Sequence, residues 1–142
     1  MKIKNIEEIM DKQVPALSKY SSFDGFVITF DNDTTLALIV SSGQSCCEQY
    51  GAVTTEENLQ DYIGAEYIQH DIVDQELAVR SNVIADSNIY DIPGLDAGDI
   101  IFLNVQTDRG TLQFCVYNSH NGYYGHSAYV YYQDQQVLET TL

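Results

Sequence analysis

The sequence predicts an α+β domain: a mainly antiparallel sheet with an N-terminal helix and one short helix on one side, ending in a three-stranded meander. Three observations predict it. Apolar residues recur at spacings of three and four over residues 3 to 17. They alternate with a period of two, between turn signals, over residues 25 to 40 and again from 99 to 132. A capping pattern at Thr54 opens a short helical stretch. With 142 residues the chain fits a single domain, 1–142, able to bury an adequate core without disulfide or metal staples.

In order along the chain, Ile3, Ile6, Ile9, Met10, Val14 and Leu17 form the apolar side of an amphipathic helix that Pro15 weakens. A hairpin follows: Phe26, Ile28 and Phe30, the turn residues Asp31, Asn32 and Asp33, then Leu36, Leu38 and Val40. Thr54 with Glu57 three residues on reads as a capping box, starting a helix from Glu56 to Ile63 that Gly64 closes. Tyr67, Ile68, Ile72 and Val73 suit a strand, while Glu76 to Ile84 suits either type. Strands at 99–107 and 111–117, joined through Asp108, Arg109 and Gly110, and a third at 124–132, reached through Ser119 to Gly122, complete the meander.

A hydrophobic fraction of 44% with only 2 Pro excludes disorder and low-complexity classes. Against 21 acidic residues stand 6 Lys and Arg, a net charge of -15 that repels phosphate backbones and anionic membranes, so direct nucleic-acid and membrane binding are excluded. No apolar run is long enough to span a bilayer, and the N-terminus lacks a basic-then-apolar leader, so a cytoplasmic location is expected. Three cysteines, two of them adjacent at Cys46 and Cys47, read as reduced thiols.

Three stretches together carry a resemblance: Ser45 to Glu48 with its Cys-Cys-Glu, Asn58 to Ala65, and Tyr117 to Ser127 with its Asn-Gly-Tyr-Tyr. Over residues 23 to 131 and in the same order, the chain resembles a family of small phage and prophage proteins of unknown function. Tyr62 stands where that family tends to have Leu, and Gly125 with His126 where it tends to have Ser-Glu. The resemblance implies a phage or prophage origin and a host-directed accessory role.

Cys46, Cys47, Cys115, His70, His120 and His126 have the chemistry of zinc ligands but not the spacing, since adjacent strand residues point to opposite faces and no pair lies two to four residues apart. No cofactor is expected. A Cys nucleophile with His120 or His126 lacks a third orienting group, and no phosphate loop, HExxH or Gly-x-Ser-x-Gly is present, so an enzyme is not expected. Six of the eleven tyrosines crowd the last strands, with apolar bodies and hydroxyl tips suited to stacking or anchoring. Arg80 and Arg109 are the only arginines, and one fixed guanidinium suffices for a small anion.

From these features the expected activity is non-catalytic sequestration of a nucleotide-derived immune signal, of cyclic nucleotide or cyclic ADP-ribose type, in the host cytoplasm. The expected ligand-binding residues are Arg109, His120, Asn121, Tyr123, Tyr124 and His126. Arg109 lies at the opposite end of its hairpin from Asn121, so a homo-oligomer is expected to bring one subunit's Arg109 to another's Tyr-rich turn. Replacing His126 is expected to leave stability nearly unchanged. The alternative is an acidic decoy that inhibits a host DNA-binding or nuclease protein, its carboxylates imitating phosphates. Hydrolysis of such a ligand by a Cys or His centre is a third class.

Overall fold

The chain builds two antiparallel sheets facing one another, and no α-helix occurs among the described residues. The computed structural model describes residues 1–14, 21–43, 48–54, 56, 58–76, 98–120 and 125–142, with the backbone alone for 48, 49, 74–76, 98, 119 and 120. One sheet has the order β1-β2-β3-β8-β9, from β1 (Ile3–Gln13), β2 (Ser22–Phe30), β3 (Thr35–Ser41), β8 (Ser127–Tyr132) and β9 (Gln135–Thr141). The other has the order β4-β7-β6-β5, from β4 (Glu48–Thr54), β5 (Tyr67–Glu76), β6 (Gly98–Thr107) and β7 (Gly110–His120).

The α+β expectation is therefore corrected, and the N-terminal helix is where it fails first. Residues 3 to 13 form an edge strand whose pairing with β2 slips twice. Ile3 faces Phe30 and Ile6 faces Ile28, so one extra residue between them keeps both isoleucines on the inner face. Ile9, opposite Gly25, joins the cluster on the outer face, and a second irregularity before Lys12 holds Asp11 at φ 50°. A bulged strand thus repeats its buried positions every three residues, imitating a helix.

The short helix shrinks to a 3₁₀ turn, Leu59–Tyr62, capped by Asn58, whose side chain accepts from the Gln60 amide at 3.1 Å. Thr54 instead ends β4 and donates its hydroxyl to the Gln113 carbonyl at 2.9 Å. Glu57 lies outside the described residues. The C-terminal meander is also corrected: β6 and β7 pair as expected, but β8 crosses to the other sheet and pairs with β3, Leu38 opposite Val130. Its inner residues Ala128 and Val130 fill the gap between sheets beside Leu38 and Val40.

The core between the sheets takes Phe26, Ile28 and Phe30 from β2, Leu36, Leu38 and Val40 from β3, Ile101, Leu103 and Val105 from β6, and Leu112, Phe114 and Val116 from β7. Each outer face carries a second apolar cluster, Ile100, Phe102, Cys115 and Tyr117 on one and Ile9, Phe23, Ala37 and Ile39 on the other. Strands apolar on both faces explain the continuous run Leu36 to Val40, since both faces are buried. Gly25 is required where β2 meets β3: its φ is 152°, and a Cβ there would lie 2.8 Å from the Ile39 Cα and against the Leu38 carbonyl.

Candidate functional site

Two of the six expected ligand residues have described side chains, and both are engaged within the fold. Arg109, in the β6–β7 turn, donates from one guanidinium nitrogen to the Asp61 carbonyl at 3.0 Å and the Ile63 carbonyl at 2.8 Å. It closes the C-terminal end of the 3₁₀ turn, where a cation is favoured by unpaired carbonyls. His126 is 5% exposed and stacks on Tyr50, ring centroids 4.2 Å apart. Its Nδ1 lies 2.6 Å from the Ser41 carbonyl, which only accepts, so the proton sits on Nδ1. His120 ends β7 with its side chain outside the described residues, as are Asn121, Tyr123, Tyr124, Arg80, Cys46 and Cys47.

Arg109 and His126 stand at opposite ends of the sandwich. The His126 amide bonds the Leu142 carbonyl, which also accepts from the Asn118 side chain, and Asn118 lies eight residues up β7 from Gly110, roughly 27 Å at 3.4 Å per residue. Among the described residues beside Tyr50, Ser42 donates to Asp24 at 2.6 Å, and the Tyr50 hydroxyl accepts from the Gly43 amide at 2.9 Å. Burial raises the Tyr50 phenol, the Gly43 amide opposing it.

A second polar cluster joins the two sheets. The Tyr67 hydroxyl shares a hydrogen bond with His70 Nδ1 at 2.7 Å, and the His70 ring lies edge-on to Tyr132, 4.9 Å between centroids. Burial lowers the His70 pKa, with Asp71 opposing. Burial, followed by the Tyr132 hydroxyl, raises the Tyr67 phenol well above its usual range.

A concave site among the described residues lies on the outer face of the five-stranded sheet. Among the described residues Val14, Val27, Thr35, Ala37, Ile39, Tyr131 and Asp134 line a pocket of about 240 Å³. Its floor is the outward side of β2 and β3, a position that an antiparallel sheet usually leaves polar. Tyr131 is held by its hydroxyl on Gln136 at 3.3 Å, and burial raises its pKa, with Tyr129 and Glu139 adding to this. Asp134 reaches the rim from the β8–β9 turn, where Gln133 and Asp134 both have positive φ, 52° and 63°. Asn-Gly is the usual choice for such a two-residue turn. The sequence reading noted Tyr131 only as one of many tyrosines and missed the rest, although the unbroken apolar run of β3 signals a second buried face.

Among the described residues no group of three or more His, Cys, Asp or Glu is placed to hold a metal ion, and no helix is long and apolar enough to cross a membrane. No curated protein and no solved structure matches the chain. Residues 1–130 match a family described as a domain of unknown function, DUF7448, and the chain belongs to that family.

Proposed function

We propose that this protein is a non-catalytic binding module whose acidic surface captures a basic protein, acting as a decoy or inhibitor of a host DNA-binding or nuclease protein. The supporting observation is the fate of the cations among the described residues, which are engaged within the fold except for Lys2. Lys4 pairs with Asp33 at 3.0 Å, Lys12 with Glu7 at 3.0 Å, the N-terminal amine with Glu66 at 3.2 Å, and Arg109 holds two carbonyls. None of the described carboxylates is buried, and with a net charge of -15 such a field steers a basic partner and repels an anionic one. A phage or prophage origin and a host cytoplasmic setting belong to this reading.

Sequestration of a nucleotide signal draws less support from the geometry. The two candidate ligand residues with described side chains are engaged within the fold, Arg109 on the Asp61 and Ile63 carbonyls and buried His126 on the Ser41 carbonyl and the Tyr50 ring. Calorimetric titration separates the two. A peptide rich in lysine and arginine is expected to bind, with affinity falling steeply between about 50 and 200 mM salt, while cyclic dinucleotides and cyclic ADP-ribose give no heat. Intact nucleotide released from heat-denatured protein after incubation, with no peptide binding, overturns the proposal.

A further inference from the structure

Resting on the binding-module reading above, we infer that the outer-face pocket is the anchor for one arginine side chain of the basic partner, with Asp134 as its counter-charge and Tyr131 as its wall. The chemistry of the lining selects this occupant. Val14, Val27, Ala37 and Ile39 offer apolar surface for an aliphatic stem, and the only charged residue among the described lining residues is Asp134, exposed in the β8–β9 turn. Long cationic side chains bury their stems and keep the head at a polar rim. A guanidinium there meets both a carboxylate, in a forked geometry that suits it, and an aromatic face. An anion is repelled by Asp134, and a wholly apolar ligand leaves that carboxylate to be desolvated without a partner.

Two further observations single out Asp134. The carboxylate has no hydrogen bond or ion pair among the described residues, whereas Asp11, Asp24, Asp31, Asp33, Asp61, Asp71 and Asp108 each accept at least one hydrogen bond. It is also presented by a turn whose two central residues are both held left-handed without glycine, while the Gln133 amide fastens the turn to the Thr35 carbonyl at 2.8 Å. Glycine at 134 relieves that backbone and deletes the charge. Strain retained where a carboxylate meets an apolar pocket is the pattern of a binding position.

The test is an NMR titration of the full chain with the peptide Gly-Gly-Arg-Gly-Gly and with the same peptide carrying citrulline, a neutral isostere. The arginine peptide is expected to shift Thr35, Ala37, Ile39 and Tyr131 saturably, the citrulline peptide binding roughly tenfold more weakly. Asp134→Asn, at an exposed turn, brings the arginine peptide down to the citrulline level. Ala37→Leu fills the pocket and removes both. Gln133→Asn with Asp134→Gly raises the melting temperature and also loses the preference for arginine. Equal affinity for both peptides, no effect of Asp134→Asn, or concentration-dependent shifts of the protein alone at these residues, which place a second copy on this face, each overturn the inference. If the lysine- and arginine-rich peptide still binds Ala37→Leu with its full salt dependence while the pocket resonances stay still, the pocket assignment fails and the binding-module reading stands. If that peptide binds neither variant nor parent, the reading itself fails.

Discussion

Tyr50 of β4 and His126, just ahead of β8, stack with their planes 20° apart, so an aromatic pair fastens the four-stranded sheet to the five-stranded one. The imidazole also donates to the Ser41 carbonyl.

His126→Ala is therefore expected to destabilise the fold, contrary to what an exposed ligand contact implies. Losing the stacked ring and leaving a carbonyl without its donor amounts to roughly 2 to 4 kcal/mol. Urea denaturation measures it. A variant as stable as the parent shows that the stack contributes nothing.

Gly25→Ala is expected to be worse. The backbone conformation disfavours any side chain, and the new methyl meets the backbone of β3 rather than a side chain able to move aside. Strain and overpacking together cost roughly 3 kcal/mol or more. The check is the yield of folded protein and the unfolding midpoint, with Val27→Ala as the control for an ordinary deletion in the same strand.

Arg109→Ala is expected to lower stability by only about 1 kcal/mol, because its two carbonyl bonds lie at an exposed site. Binding of a basic peptide should be unchanged or slightly tighter. A large loss of ligand binding in this variant with stability intact restores Arg109 as a recognition residue.

Stability is expected to fall on both sides of neutral pH through the Tyr67 and His70 pair. His70 titrates below its ordinary 6.5 in the fold, so the unfolded chain binds its proton more tightly, and this contribution is full above 6.5 and shrinks as pH falls below it. Tyr67 titrates above its ordinary 10.0, so the folded chain holds that proton more tightly, and its contribution is full below 10.0 and shrinks as pH rises past it. Melting temperatures of the parent, His70→Gln and Tyr67→Phe across this range resolve the two. Parallel curves for parent and His70→Gln between about pH 5 and 7 sink the acid-side assignment.

The β2–β3 hairpin was legible because its alternation and its Asp31 to Asp33 turn are both local, and the β6–β7 hairpin for the same reason. β1 was not, because a bulge is fixed by the partner strand, and its effect on periodicity is to convert two into three. The departure of β8 from its neighbour β7 was equally hidden: Tyr129 and Tyr131 alternate identically whichever sheet they join. Arg109 looked available as an anion anchor because nothing local announces that the carbonyls of Asp61 and Ile63 lie within its reach. The pocket depends on Val14, Val27, Thr35 and Asp134 converging from separate elements, a relation that only the register creates.

The insertion of the whole four-stranded sheet between β3 and β8 has a kinetic consequence. During synthesis β1, β2 and β3 emerge first and can pair by local turns, but β3 keeps an open edge until residues 127–132 arrive. That edge bears the apolar run Leu36 to Val40, the kind of strand that recruits a second nascent chain. Closure across so long a loop is slow, in the millisecond-to-second range of non-local β topologies. Aggregation during expression should therefore respond to slower translation.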